Sequence, residues 1–253
     1  MTSPPRSTTA WLRTVAERLG DLRPELVFLG GATLALFITD PGATAPRPTR
    51  DVDVIVELGS YADYVHLQER LRERGFQEDS SEGAPLCRWV TQGIKVDVMP
   101  TREEILGFTN RWYAAAMRDA TEAALGHEVT IRLISAPCFV ATKLEAFRGR
   151  GDDDYVLSHD LEDVIAVVDG RAELGDEIRS AAPDLRDYLA EAISTLLGTE
   201  AFREALPGYL LRPGAHLRRP GTGVRSSPDA ITRRILAIRC VAPRCPPSAL
   251  ILS

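Results

Sequence analysis

Apolar positions recur with a helical period over residues 9–19, where Trp11, Leu12, Val15 and Leu19 share one face. Residues 26–29 are a short apolar run, read as a strand that Gly30-Gly31 terminates, and 32–38 reads as a turn or two of buried helix. A loop rich in Pro, Gly and Thr follows. Residues 51–57 alternate as a strand, 61–74 read as an exposed helix ending at Gly75, and 86–90 with 95–99 read as two strands of a hairpin around Thr91-Gln92-Gly93. The alanine-rich stretch 111–125 predicts a helix, and 127–134 alternates again, with Val129, Ile131 and Leu133 on one side. Beyond Pro137, a residue suited to a first helical position, the period stays helical over 137–148, 158–168, 184–197 and 199–206.

The fold class that follows is α/β (α+β): a mixed sheet with flanking helices, then a helical C-terminal region. We divide the chain into an α/β core over 1–135, a helical region over 136–211, and a tail over 212–253. The tail holds six prolines and little periodicity, and reads as disordered or atypical.

Composition narrows the class. With 44% hydrophobic and 26% charged residues the 253-residue chain is of globular type. Four scattered cysteines do not make a disulfide framework and point to a reducing cytoplasm. The apolar stretch 26–39 is shorter than the roughly 18–20 residues of a membrane span, and MTSPPRSTTAWLR lacks the apolar core of a signal peptide, so no membrane partner is expected. Residues 212–253 carry a formal +7, which leaves −13 for the rest against a total of −6. An acidic body does not attract nucleic acid non-specifically. Lys95 and Lys143 are the only lysines among 30 basic residues; a compositional bias toward arginine is one reading, and a need at these positions for a compact point charge rather than a planar fork is the other.

The chemistry concentrates in RDVDVIVE. Side chains alternate along a strand, so Asp51 and Asp53 share a face while Val52, Val54 and Val56 share the other. Two like charges so placed repel unless a cation lies between them, and hard oxygen ligands point to Mg²⁺. IKVDVMP repeats the design with Asp97. If its strand is the neighbour, three carboxylates can hold two ions, one on a nucleoside triphosphate and one at the attacking hydroxyl. Gly30 and Gly31, between strand and helix, would let backbone N–H groups approach phosphate.

FLGGATLAL, RPTRDVDVIVE and IKVDVMP together resemble the nucleotidyltransferase superfamily of polymerase-beta-like folds. More narrowly they resemble the AbiEii/AbiGii toxin family, which includes the MenT-type toxins, over about residues 20–206. The Arg-x-Thr-x-Asp-x-Asp stretch of that family is Arg47, Thr49, Asp51 and Asp53 here. The 20 positions from Gly31 to Asp51 exceed the interval in many superfamily members. The resemblance implies Mg²⁺-dependent transfer of a nucleoside monophosphate from an NTP. It implies metal binding by Asp51, Asp53 and Asp97, and nucleotide binding by Gly30, Gly31, Thr33, Arg47 and Lys143. It also implies a lysine and an aspartate on later helices for nucleotide handling, here Lys143 and Asp160, with Asp163 one turn on. A tRNA 3′ end as acceptor and a separate antitoxin as partner belong to the same implication. A small-molecule acceptor, as in aminoglycoside nucleotidyltransferases, and an inert binding module are the alternatives.

Overall fold

A computed structural model describes residues 8–43, 46–49, 51–126, 128–150, 153–211 and 228–239. The chain is mixed α/β and divides into two compact units. One comprises Met1–Leu36 and Arg47–Thr142, the other Phe37–Pro46 and Lys143–Ser253.

The first unit is built on a seven-stranded sheet. Its elements are α1 (Thr8–Leu19), β1 (Leu26–Leu29), β2 (Asp51–Val56), α2 (Tyr61–Glu73), β3 (Gln77–Glu78), β4 (Arg88–Thr91), β5 (Ile94–Pro100), α3 (Glu103–Leu106), α4 (Tyr113–Arg118), β6 (Thr121–Ala124), β7 (Thr130–Leu133) and the start of α5 (Ala136–Arg150). Strand order is β3-β4-β5-β2-β1-β7-β6. The β2/β5 and β1/β7 pairs are parallel and the rest antiparallel. The apolar alternation works as its spacing dictates. Val52, Val54 and Val56 join Val96 and Val98 in a core closed by Leu12, Val15 and Leu19 of α1 and Leu67 and Leu71 of α2. α2 is therefore amphipathic, not an exposed helix. Tyr64, Leu67 and Leu71 are buried along one stripe, and Ser60 caps its first turn by accepting from the Asp63 N–H.

Two local expectations are corrected. Residues 31–36 form a 3-10 turn rather than α-helix. The alanine-rich stretch contributes only the short α4 before Thr121–Ala124 pairs with β7 as a strand. There the ladder hydrogen bonds of β6 outweigh alanine's helical preference, which is a weak prior against tertiary pairing.

In the second unit α5 continues from Lys143 and is followed by α6 (His159–Gly170), α7 (Leu174–Ser180), α8 (Pro183–Gly198), α9 (Glu200–Leu211) and α10 (Pro228–Arg239). Ser158 caps α6 by accepting from the Leu161 N–H. α10 lies inside the segment read as an atypical tail. Ile231, Ile235 and Ile238 repeat at helical spacing and are buried, so over this stretch the chain is packed. The remainder of that tail lies outside the described residues.

The long interval between Gly31 and Asp51 also finds its cause. Residues 37–46 belong to the second unit, where the N–H groups of Thr39 and Asp40 donate to the Gly170 carbonyl at 2.9 Å. Arg171 donates to the Phe37 carbonyl, and the Thr39 hydroxyl donates to Glu173. A Cβ on Gly170 would stand 2.6 Å from the end of the Ile38 side chain, so a larger residue at this helix end would push that side chain aside.

Candidate active site

β5 is the parallel neighbour of β2, and the register sets Asp53 beside Asp97 and Asp51 beside Lys95. Residues paired in this way project to the same side of a sheet. Asp51, Asp53 and Asp97 therefore share one face of two adjacent strands, while their valine neighbours fill the core behind.

Gly30 sets where Asp53 stands. β1 runs antiparallel to β2 with Leu29 opposite Asp53, and Gly30 follows with φ +75°. A Cβ there would fall 1.8 Å from Asp53 Oδ2, so the carboxylate occupies the space that any other side chain would need. Thr33 closes this turn. Its N–H and its hydroxyl both donate to the Gly30 carbonyl, at 3.1 and 2.8 Å, and the residue is fully buried. Thr33 is thus a turn residue whose N–H and hydroxyl both donate inside the protein. Gly31 opens the 3-10 turn.

Asp51 accepts a hydrogen bond from the Thr49 hydroxyl, so the Arg-x-Thr-x-Asp-x-Asp stretch is locally self-bracing. Arg47 is half-buried in the segment leading into β2. Arg50 lies outside the described residues.

Asp97 has a partner that the sequence reading did not name. Arg88, directly opposite on β4, donates Nε to Oδ1 and a terminal nitrogen to Oδ2, both at 2.7 Å. These hydrogen bonds, and then the Asp97 and Asp51 charges, hold the Arg88 guanidinium protonated well above its ordinary range. A signal for Arg88 exists in the hairpin. With Gln92-Gly93 as a two-residue turn, Thr91 meets Ile94 and the count backward brings Arg88 to Asp97.

The donor chemistry of Asp51 and Asp53 suits Mg²⁺, which takes one or two carboxylates together with substrate phosphates. The three-carboxylate set is not assembled. Both Asp97 oxygens accept from Arg88, and no group of three or more His, Cys, Asp or Glu side chains stands at metal-holding geometry among the described residues.

In the second unit Lys143 stands between two carboxylates, with Nζ 3.1 Å from Asp160 Oδ1 and 2.7 Å from Asp163 Oδ2. The choice of Asp160 alone is therefore corrected to both residues. Asp163 makes the shorter contact and has no exposed surface. Spacing explains the grip, since positions three apart on α6 project to one side. His159 contacts Glu162, one turn along α6, while Ser158 does the capping. Asp154 accepts from the Val156 and Leu157 N–H groups in a surface turn. His127, Asp152, Cys240 and Cys245 lie outside the described residues.

No family model matches this chain, and no curated protein matches it. Among solved structures it is similar to an antigenic nucleotidyltransferase-like protein from Paracoccidioides brasiliensis, at 17% identity and a TM-score of 0.44, over 79% of this chain and 93% of that one.

Proposed function

We propose that the chain is a Mg²⁺-dependent nucleotidyltransferase that moves a nucleoside monophosphate from an NTP to an acceptor hydroxyl and releases pyrophosphate. The observation that carries this reading is the Asp53 carboxylate seated against the Gly30 backbone, with Asp51 on the same strand face and Asp97 level with it on β5. Asp51 and Asp53 would hold the ion, which when bound supplies charge neutralisation to the triphosphate. Gly30, Gly31 and Arg47, all of which precede that strand in sequence, are assigned to the phosphates. Asp97 is assigned to the attacking hydroxyl. Lys143, with Asp160 and Asp163, is assigned to nucleotide handling on the strength of the resemblance.

The family resemblance makes a tRNA 3′ end the acceptor and a cognate antitoxin the partner. One observation favours an inert binding module instead: Asp97 is already neutralised by Arg88. Incubation with each labelled NTP, Mg²⁺ and total tRNA separates these readings. Label entering RNA supports the toxin-like transferase, and label entering only an added aminoglycoside supports a small-molecule acceptor. No transfer to either, with no NTP binding, leaves the inert module. Asp53→Asn abolishes transfer while leaving thermal unfolding within about 1 kcal/mol of wild type, as expected for a partly exposed residue outside the core. Transfer that survives this change refutes the assignment of the site.

A further inference from the structure

Arg88, Asp97 and Asp53 lie in one row across three adjacent strands, β4, β5 and β2. Neighbouring strands are about 4.8 Å apart, so Asp97 stands within reach of both its neighbours in that row. It is Arg88 that holds it. The guanidinium fork meets both carboxylate oxygens at 2.7 Å, the side-on geometry in which an Arg–carboxylate pair is strongest. Their side chains are 20% and 12% exposed, so solvent screens the pair less than it screens a surface ion pair. Lys95 is paired with Asp51 in the strand register, but its half-exposed side chain turns its ammonium to Asp79, at 3.9 Å. With Arg88 held on Asp97, the Asp51, Asp53 and Asp97 carboxylates keep a formal charge of −2 on this face, where the three alone would carry −3.

We propose that Arg88 is a positioning residue that keeps Asp97 out of the metal set, so that the nucleotide-free protein coordinates a divalent cation through Asp51 and Asp53 without Asp97. This rests on the metal reading of Asp51 and Asp53. Arg88 is charged at every pH at which the protein is folded, so protonation chemistry does not release Asp97. The pair opens only when Arg88 is removed or drawn to a competing anion. Affinity for hard cations follows the number and charge of oxygen ligands, so a third carboxylate set loose beside Asp53 strengthens binding.

Titration of the nucleotide-free, full-length protein with Mn²⁺, followed by electron paramagnetic resonance of the free ion, tests this. Arg88→Gln binds Mn²⁺ about tenfold tighter than wild type or more. The double variant Arg88→Gln/Asp97→Asn, which removes the pair and restores its neutrality, returns to within about threefold of wild type because the added ligand is gone. The double-mutant comparison assigns the gain to Asp97 rather than to a general change in charge. Arg88→Gln binding no tighter than wild type overturns the proposal. Should that single variant not fold, the double variant decides alone: wild-type affinity supports Asp97 as a non-ligand, and a large loss overturns it. Asp53→Asn separates the layers. If it binds Mn²⁺ as wild type does, the metal reading itself fails. If it loses Mn²⁺ while Arg88→Gln gains nothing, only the role of Arg88 fails.

Discussion

A carboxylate with no exposed surface is tolerated where a cation stands beside it, and Asp163 has Lys143 at 2.7 Å. Removing one member of a buried pair strands the other, which costs about 3–5 kcal/mol. Lys143→Met is accordingly expected to lower the unfolding free energy by about that amount in a urea titration, and Lys143→Arg to recover it only in part, because a planar fork does not sit between two carboxylates as a point charge does. An unchanged denaturation midpoint in Lys143→Met would show the triad to be structurally idle. The scarcity of lysine made Lys143 visible in sequence, and strand alternation did the same for Asp51 and Asp53. Arg88 was equally readable from the hairpin register, but only to a count made outward from the turn. One arginine among 28 carries no mark of its own. That Asp163 shares the lysine with Asp160 needed coordinates, because the i, i+3 spacing puts both on one side without ranking them.

At the scale of elements, periodicity located the long helices and the central strands to within a few residues, and failed where the apolar signal was short. β6 reads TEAA, which contains nothing apolar beyond alanine, and only its pairing with β7 makes it a strand. α10 was hidden by its surroundings, since the prolines and arginines of residues 212–253 mask an Ile231, Ile235, Ile238 stripe. That stripe has thermodynamic weight. Ile235 lines one apolar pocket together with Leu161 and Val164 of α6 and Ile193 of α8, and it is almost fully buried. Ile235→Ala is expected to cost about 2–5 kcal/mol and to raise amide hydrogen exchange in α6 and α8. A variant with unchanged exchange in both helices would show that α10 does not stabilise the unit.

For the molecule as a whole, a formal charge of −6 sets a background against which any polyanion must bind. Non-specific affinity for duplex DNA is expected to be negligible at about 0.15 M salt, where screening limits attraction to about 8 Å. Fluorescence anisotropy of a labelled duplex checks this, and micromolar binding with a steep salt slope would contradict it. The sequence pattern puts a change from α/β to helical near residue 135, and the folded chain groups Phe37–Pro46 with Lys143–Ser253. No local pattern could have revealed that, because the bonds that hold the strap join residues such as Thr39 and Glu173, 134 positions apart. Those bonds impose an order on biosynthesis. The strap leaves the ribosome early, and its partners around Gly170 follow only after everything from Arg47 to Thr142 has emerged. A fragment beginning at Lys143 would lack the strap altogether. The second unit can therefore be supplied as a separate polypeptide only if residues 37–46 are supplied with it.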